Sequence, residues 1–221
     1  MLNTNLTLPP ASNEQLAHSD KLCALLHHEI KAAGGQIPFS RYMELALYAP
    51  GLGYYSAGSH KFGVQGDFTT APESAPLFSK CLANQCLQVL ENIDDGVILE
   101  FGAGSGIMAA TILLELEDLD CLPAHYYILE VSADLQQRQR EKIKSLCPHL
   151  FARVTWLQGF PETPIKGIVL ANEVLDAMPV NLFKLNHGNV SELYVRSGQP
   201  GELPRQPVSY THLTLPTILL V

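Results

Sequence analysis

The stretch that decides the fold is Ile98 to Gly106, which reads Ile-Leu-Glu-Phe-Gly-Ala-Gly-Ser-Gly. An apolar run carrying one acid, Glu100, ends in glycines at alternate positions, Gly102, Gly104 and Gly106, and helix-forming residues follow. A strand, a glycine turn and a helix in this order form a ligand crevice at the carboxyl end of the strand in α/β sheets. Glycines allow both a tight turn and the close approach of a ligand to the backbone. The stretch therefore predicts a nucleotide-type site.

The rest of the chain repeats this alternation of strands and helices. The predicted strands are Val97–Phe101, His125–Val131, Arg153–Leu157 and Gly167–Ala171, separated by helices at Ile107–Glu117 and Ala133–Leu146. This order predicts an α/β fold of the Rossmann type, a parallel sheet with flanking helices and right-handed crossovers.

Further elements are predicted on either side of that sheet. Before it, Asn13–Ala33 has a helical period, a short helix follows with Ser40 as its N-cap, and the segment 52–72 reads as irregular with a hairpin near Tyr54. After the sheet, His187-Gly188-Asn189 is a hairpin turn between two strands.

Composition limits the classes of function. The chain has 221 residues, 47% of them hydrophobic, and a formal net charge of −8. Nucleic acid is therefore not expected as a partner, because binding to phosphates needs a basic face. The apolar stretches are too short for a membrane span. The five cysteines form no Cys-x-x-Cys pair, so we expect free thiols, and no cluster with metal-ligand spacing suggests a metal.

Glu130 is the second candidate for ligand binding. It ends the second predicted strand, where an acid in a dinucleotide-type sheet accepts hydrogen bonds from ribose hydroxyls. The alternative is an acid that belongs to the start of the next helix, where Ser132 also qualifies as N-cap. The dinucleotide pattern G-x-G-x-x-G would place its third glycine at 107, but this chain has it at Gly106. The spacing therefore disfavours NAD.

Two polar blocks lie outside the glycine loop. One follows the fourth predicted strand and contains Asn172, Glu173 and Asp176, which would lie at the same edge of the sheet as the glycines unless they form a solvated loop.

The other block precedes a predicted helix and contains Asp67, Thr70 and Glu73. By itself it is also compatible with a helix-capping arrangement in which Asp67 or Thr70 pairs with Glu73.

In order along the chain, these blocks resemble those of the MidA-like methyltransferase family. The glycine loop resembles motif I of class I S-adenosylmethionine-dependent methyltransferases. The resemblance runs from about Ser40 to Val195 and comprises Arg41-Tyr42-Met43-Glu44, Tyr48-x-Pro50-x-x-Gly53-Tyr54-Tyr55, Gly66–Glu73, Glu100–Gly106, Tyr127-x-x-Glu130 and Asn172-Glu173-x-x-Asp176-Ala177-x-Pro179.

The resemblance implies a class I methyltransferase sheet and S-adenosyl-L-methionine as the cofactor. The cofactor-binding residues that it implies are Glu100, Gly102, Ala103, Gly104, Gly106, Glu130, Asp67, Thr70, Glu73 and Asn172. It also implies a protein substrate that is methylated on arginine, such as a subunit of respiratory complex I. Glu173 and Asp176 are then the catalytic candidates, because paired carboxylates can orient a guanidinium group.

The resemblance also suggests how the chain is divided. We expect a helical and loop region at 1–92 that covers the cofactor site, a partial Rossmann-like domain at 93–207, and a non-native tail at 208–221. Within that tail, Val208–Thr217 resembles a reading frame of a transposon-type sequencing adapter; the alternative is a strand pair broken by Pro216. Because family members are longer, we expect a sheet truncated after its fourth strand and the hairpin, in a fragment that can lack activity.

Two other functions stay open at this stage. One is an assembly module that binds S-adenosylmethionine without catalysis, and the other is an NAD-dependent oxidoreductase. The first twenty residues contain no Lys or Arg, unlike a transit peptide. We therefore expect a bacterial cytoplasmic protein with mitochondrial relatives in eukaryotes, and the sequence does not predict an oligomeric state.

Overall fold

A computed structural model describes residues 11–57, 70–198 and 212–214 of the chain. It divides into two compact units, one formed by Met1–Gly53 together with Pro179–Val221 and the other by Tyr54–Met178. Each unit has its own hydrophobic core. The domain boundaries expected from the sequence, at residues 92 and 207, stay predictions.

The described elements include six α-helices and nine strands. The helices are α1 (Asn13–Ala32), α2 (Phe39–Tyr48), α3 (Ala71–Ser74), α4 (Pro76–Leu90), α5 (Ile107–Asp118) and α6 (Ala133–Leu146), and short 3-10 helices lie at Phe151–Arg153 and Leu175–Ala177. The strands are β1 (Gln36–Pro38), β2 (Val97–Phe101), β3 (Tyr126–Leu129), β4 (Val154–Leu157), β5 (Gly167–Ala171), β6 (Phe183–Asn186), β7 (Asn189–Glu192), β8 (Tyr194–Arg196) and β9 (His212–Thr214).

The larger unit is built on a parallel sheet with the strand order β4-β3-β2-β5. This confirms the predicted α/β class with a parallel sheet and flanking helices. Strands β2 and β5 have the predicted bounds, whereas β3 and β4 are shorter than predicted. Residues 97–100 of β2 are all buried, as is typical of a strand inside a parallel sheet whose two faces are covered.

Two helices of this unit differ sharply in composition. Helix α5 is apolar nearly all round and buries six residues, Met108, Ala109, Ala110, Ile112, Leu113 and Leu116. Helix α6 is strongly polar and buries a narrow stripe at i, i+4 and i+8, formed by Leu135, Gln139 and Ile143. A buried leucine or isoleucine stabilises the fold by about 2 kcal/mol, so a glutamine in this stripe needs another explanation.

The smaller unit joins the start of the chain to residues that follow the parallel sheet. Helix α1 begins with a capping box, in which Ser12 Oγ accepts from the Gln15 N–H at 3.2 Å and Gln15 Oε1 accepts from the Ser12 N–H at 2.7 Å. Strand β1 pairs antiparallel with β8, which pairs in parallel with β9.

The second helix starts earlier than predicted. Ser40 lies inside α2 and is not its N-cap; Pro38 takes that position. With φ −56° and ψ 150°, Pro38 has the extended backbone that an N-cap requires, and its ring fixes this φ.

The predicted hairpin is formed by β6 and β7. Its two turn residues, His187 and Gly188, have φ angles of 47° and 83°, as a type I′ turn requires, and Asn189 already belongs to β7.

In the described parts of the segment 52–72, two features differ from the prediction. Residues 54–56 form turns and not a hairpin, and the rings of Tyr54 and Tyr55 meet edge to face at 5.0 Å. Helix α3 begins at Ala71, inside the segment. Residues 58–69 lie outside the described part of the chain, as does most of the predicted tail.

Membrane spans, metal sites and disulfides bear on broader classes of function. No helix among them is long and apolar enough to cross a membrane. Within the same residues, no group of three or more His, Cys, Asp or Glu side chains could hold a metal ion. All five cysteines are free thiols, and Cys86 and Cys147 are buried.

Candidate functional site

Three strand ends meet at one edge of the parallel sheet. Phe101 of β2 is in register with Leu129 of β3 and with Ala171 of β5. The residues that follow these ends are the glycine loop, Glu130 and Asn172. The Gly102 N–H donates to the Leu129 carbonyl at 3.0 Å, which fixes the start of the loop against β3. The sheet therefore brings three of the predicted blocks together.

The glycine loop turns through positive φ angles. Gly102, Gly104 and Gly106 have φ values of 60°, 55° and 85°, which side chains with a Cβ adopt at a cost of about 1–3 kcal/mol. Ala103 between them is buried in the core.

Gly106 is the N-cap residue of α5, and it is needed for packing inside the protein. A Cβ at this position would lie 3.1 Å from Cα of Gln139 and 3.3 Å from its carbonyl oxygen. The backbone of α6 therefore occupies the space, whereas the sequence suggested that a ligand would. Among the described residues, a Cβ at Gly102 would meet only Val174 Cγ2, at 3.4 Å.

Glu130 is buried, with 7% of its surface exposed, and both of its carboxylate oxygens accept hydrogen bonds. The Ser132 N–H donates to Oε1 at 2.9 Å, and Gln139 Nε2 donates to Oε2 at 3.0 Å. Burial raises the pKa of Glu130, and these hydrogen bonds oppose the rise because they stabilise the carboxylate. Ser132 is the N-cap of α6, since its Oγ accepts from the Leu135 N–H at 3.3 Å. Glu130 itself therefore does not cap the helix.

Gln139 is a site residue that the sequence analysis missed. It is fully buried, and its Nε2 donates to the Gly104 carbonyl at 3.1 Å as well as to Glu130. Its Oε1 accepts from Trp156 Nε1 at 2.9 Å. The available signal was its position between Leu135 and Ile143 in the buried stripe of α6, where an apolar residue is the rule.

Glu100 lies beneath the loop, inside the core. It is 1% exposed and accepts a hydrogen bond from the Tyr126 hydroxyl at 2.7 Å. Burial raises the pKa of Glu100 to about 7; the Tyr126 hydrogen bond acts against this rise, and the charge of Glu130 adds to it.

The block before α4 reaches the glycine loop through one contact. The Ser105 hydroxyl donates to the carboxylate of Glu73, in α3. Thr70 is the N-cap residue of α3, and its carbonyl accepts from the N–H groups of Glu73 and Ser74. The Glu73 carboxylate therefore binds Ser105 of the glycine loop. Asp67 lies outside the described residues.

The block after β5 is exposed. Glu173 and Asp176 are both exposed, Asn172 is half-buried, and Glu173 has a φ of 51°. A positive φ at a residue other than glycine is uncommon; it occurs in turns, as at His187, and also at functional sites.

Tyr55 links these acids to Glu130. Burial raises the pKa of the Tyr55 hydroxyl, and the charges of Asp176, Glu130 and Glu173 raise it further, so all three carboxylates lie within electrostatic reach of this hydroxyl. The Tyr55 carbonyl also accepts from Ser132 Oγ at 2.7 Å. Tyr55 belongs to one of the blocks that carry the family resemblance, but it was not predicted as a site residue.

Comparison with known proteins decides the family. A family model described as "Putative S-adenosyl-L-methionine-dependent methyltransferase" matches residues 81–216, more than half of the chain. The chain belongs to this methyltransferase family. The match includes the glycine loop, Glu130 and Glu173, and family membership favours a methyltransferase over the nicotinamide-dependent alternative.

Two similar solved structures come from Burkholderia thailandensis. One is described as a "likely methyl transferase" bound to S-adenosyl-homocysteine; it is 45% identical, with a TM-score of 0.79, over 88% of this chain and 51% of that one. A second Burkholderia thailandensis structure, of an uncharacterised protein, is 44% identical with a TM-score of 0.76, over 88% of this chain and 50% of that one.

Curated relatives carry a more specific name. The NDUFAF7 homologue of Caenorhabditis elegans, a mitochondrial protein arginine methyltransferase, is 28% identical over 88% of this chain and 50% of its own length. The protein arginine methyltransferase NDUFAF7 of Bos taurus, also mitochondrial, is 27% identical over 80% of this chain and 46% of its own length. The chain thus spans about half the length of the curated relatives it matches.

Proposed function

We propose that the protein binds S-adenosyl-L-methionine at the edge formed by the glycine loop and Glu130, and that it methylates a protein. The observation that carries the proposal is the position of Glu130. It directly follows β3, the strand that pairs with β2 before the glycine loop, and keeps a small exposed fraction at the sheet edge, in a chain of a methyltransferase family. The S-adenosyl-homocysteine bound to the Burkholderia relative supports the same choice of ligand.

The residues present fit such a cofactor. The two carboxylate oxygens of Glu130 offer about four acceptor positions, of which Ser132 and Gln139 use two, and the Val131 N–H also stabilises the carboxylate. The acceptor capacity that remains can receive a hydrogen bond from a ribose hydroxyl. The loop presents backbone without a Cβ at Gly102 and Gly104, which allows close approach of the amino-acid part of a cofactor.

A bound S-adenosyl-L-methionine supplies a methyl group on a sulfonium, which is transferred by direct displacement. The task of this chain is to hold the acceptor nitrogen in line with the methyl carbon and the sulfur. As the N–C bond formed, the C–S bond would break, S-adenosyl-homocysteine would leave, and the methylated nitrogen would give up a proton to a nearby carboxylate or to water. We propose that Glu173 and Asp176 hold the acceptor. Both are exposed carboxylates at the sheet edge, and Glu173 has the positive φ described above.

We propose arginine as the acceptor. An arginine side chain stays protonated at neutral pH, so its nitrogens are poor nucleophiles. Two carboxylates can bind the guanidinium and draw its charge away from the attacking nitrogen. The relatives named protein arginine methyltransferases support this choice.

Partner and location are finer parts of the proposal. A subunit of respiratory complex I is the proposed substrate, in keeping with the family resemblance. We propose a bacterial cytoplasmic location, supported by 45% identity to a bacterial protein against 27–28% to the two mitochondrial ones.

The proposed activity can be tested with labelled cofactor. The purified protein is incubated with methyl-labelled S-adenosyl-L-methionine and a lysate depleted of low-molecular-weight acceptors, and labelled residues are identified by mass spectrometry. Label on arginine supports the proposal, whereas label only on another residue type contradicts the choice of acceptor. Binding of the cofactor without transfer to any acceptor would instead indicate a non-catalytic module.

A further inference from the structure

We propose that Gln139 is a positioning residue that orients the Glu130 carboxylate toward the ribose hydroxyls of the cofactor. This inference rests on the proposed function and adds a residue to it. Gln139 lies in the buried stripe of α6 and is fully buried. Its amide contacts Glu130 and the glycine loop, the two parts of the site that are expected to touch the cofactor.

The orientation of the Gln139 amide is determined by its surroundings. The indole of Trp156 can only donate a hydrogen bond, so the amide atom that faces it must be the oxygen. The Nε2 atom then faces the Gly104 carbonyl and the Glu130 carboxylate, and both of these accept. One donor and two acceptors thus match the one carbonyl and two N–H groups of the amide. A flipped amide would leave several buried polar groups unpaired, at a cost of about 1–3 kcal/mol each.

The amide restrains the acid from one side, while the backbone restrains it from the other. The Ser132 N–H holds Oε1 of Glu130, and Gln139 holds Oε2. With both oxygens fixed, rotation of the carboxylate is restricted, and its free lone pairs keep one direction. A hydrogen bond to a charged group contributes about 1.5–3 kcal/mol, which is enough to decide between aligned and misaligned rotamers.

Helix α6 also contacts the glycine loop through Gln139. The Gln139 backbone fills the space beside Gly106, and the Gln139 side chain holds the carbonyl of Gly104. Displacement of Gln139 would therefore move the acid and the loop together. This double role explains why a glutamine stands where the buried stripe of α6 otherwise carries Leu135 and Ile143.

The test compares two ligands. S-adenosyl-homocysteine and its 2′,3′-dideoxy analogue, which lacks both ribose hydroxyls, are titrated into wild-type protein and into Gln139→Met by calorimetry. Methionine preserves volume but removes both N–H donors. We expect S-adenosyl-homocysteine to bind about 10- to 100-fold more weakly, in line with the loss of a hydrogen bond to a charged group. The analogue should lose much less, so that the preference for the natural ligand shrinks.

A purely structural role would weaken both ligands by the same factor and leave the preference unchanged, and that result would overturn the inference. The matched control is Gln137→Met on the same helix, because Gln137 is exposed and its amide bonds to Glu141; it should behave as wild type. If a thermal melt shows that Gln139→Met does not fold, Gln139→Glu decides. It keeps an acceptor for Trp156 but places a second carboxylate beside Glu130, which either repels that acid or shares one proton with it. The preference for S-adenosyl-homocysteine should therefore shrink in this variant too, and an unchanged preference again overturns the inference.

The same titrations distinguish a failure of the proposed cofactor site from a failure of the role of Gln139. A folded wild-type protein that binds neither ligand contradicts the proposed cofactor site, and the role of Gln139 falls with it. A wild-type protein that prefers S-adenosyl-homocysteine, beside a Gln139→Met variant with the same preference, contradicts the role of Gln139 alone.

Discussion

The Tyr126 hydroxyl donates to the Glu100 carboxylate at 2.7 Å, and both side chains are buried beneath the glycine loop. Glu100, the acid of the glycine motif, is thus almost completely buried. Its burial raises its pKa from the ordinary 4.5 to about 7. This makes Glu100 a source of pH-dependent stability.

The sign of that dependence follows from proton binding. Folded Glu100 keeps its proton up to about pH 7, whereas the unfolded chain loses it near pH 4.5. Stability should therefore fall as pH rises through this window, by about 3 kcal/mol at most. The measurement is the free energy of unfolding of wild type minus that of Glu100→Gln between pH 5 and 8. The difference should decrease with pH and level off above 7. Curves that run parallel over this range would contradict the prediction; Glu91→Gln, at an exposed position, provides the parallel control.

Gly106→Ala should destabilise the protein more than Gly102→Ala. Both positions have positive φ, so the backbone cost is similar, but only at Gly106 does a Cβ meet backbone atoms, those of Gln139, at 3.1–3.3 Å. Crowding of this kind costs about 1–3 kcal/mol. Chemical denaturation of the two variants provides the comparison, and equal losses would show that α6 moves aside freely.

Glu173→Gln should abolish most methyl transfer while cofactor binding stays intact. The amide keeps the shape of the side chain but removes the charge that holds a guanidinium, and loss of one electrostatic contact in a transition state costs about 10²- to 10³-fold in kcat. Activity and S-adenosyl-homocysteine affinity are measured on the same preparation. Near-normal transfer would exclude Glu173 as a catalytic residue, and Asp176→Asn tests its neighbour in the same assay.

Ser105→Ala should weaken cofactor binding several-fold, because the Ser105 hydroxyl ties α3 to the glycine loop through Glu73. Glu73→Gln should have a similar effect, and the double variant should be little worse than either single one, as expected for two partners in one contact. Ser74→Ala is the control, since the Ser74 hydroxyl bonds only within its own turn, to the Thr70 carbonyl. Fully additive losses would mean that the two residues act separately.

The sequence predicted the parallel sheet well, because its signals are local. Strands β2 and β5 are bounded by glycine and polar residues, so their ends could be assigned to the residue. The edge position of Glu130 and Asn172 followed from parallel strands alone. The pairing of β1 with β8 was missed, because two three-residue strands far apart in the chain carry no local pattern.

The hydrogen-bond partners of the two buried acids could not be predicted from the sequence either. Glu100 accepts a hydrogen bond from Tyr126, Glu130 accepts one from Gln139, and both donors come from neighbouring elements. Gly106 was assigned to ligand approach when its neighbour is in fact α6. Motif spacing predicts candidate residues at the sheet edge, whereas the partners that hold them are fixed by tertiary packing.

The central claim is that Glu130 and the glycine loop form a cofactor site. The most direct measurement is a calorimetric titration of S-adenosyl-homocysteine into wild type and into Glu130→Ala, with both proteins shown to be folded by circular dichroism. We predict one binding site per chain in wild type and affinity at least about 10-fold lower in the variant, since the ribose loses its charged acceptor. Equal affinity in the two proteins, or a folded wild type that binds no ligand, would contradict the account.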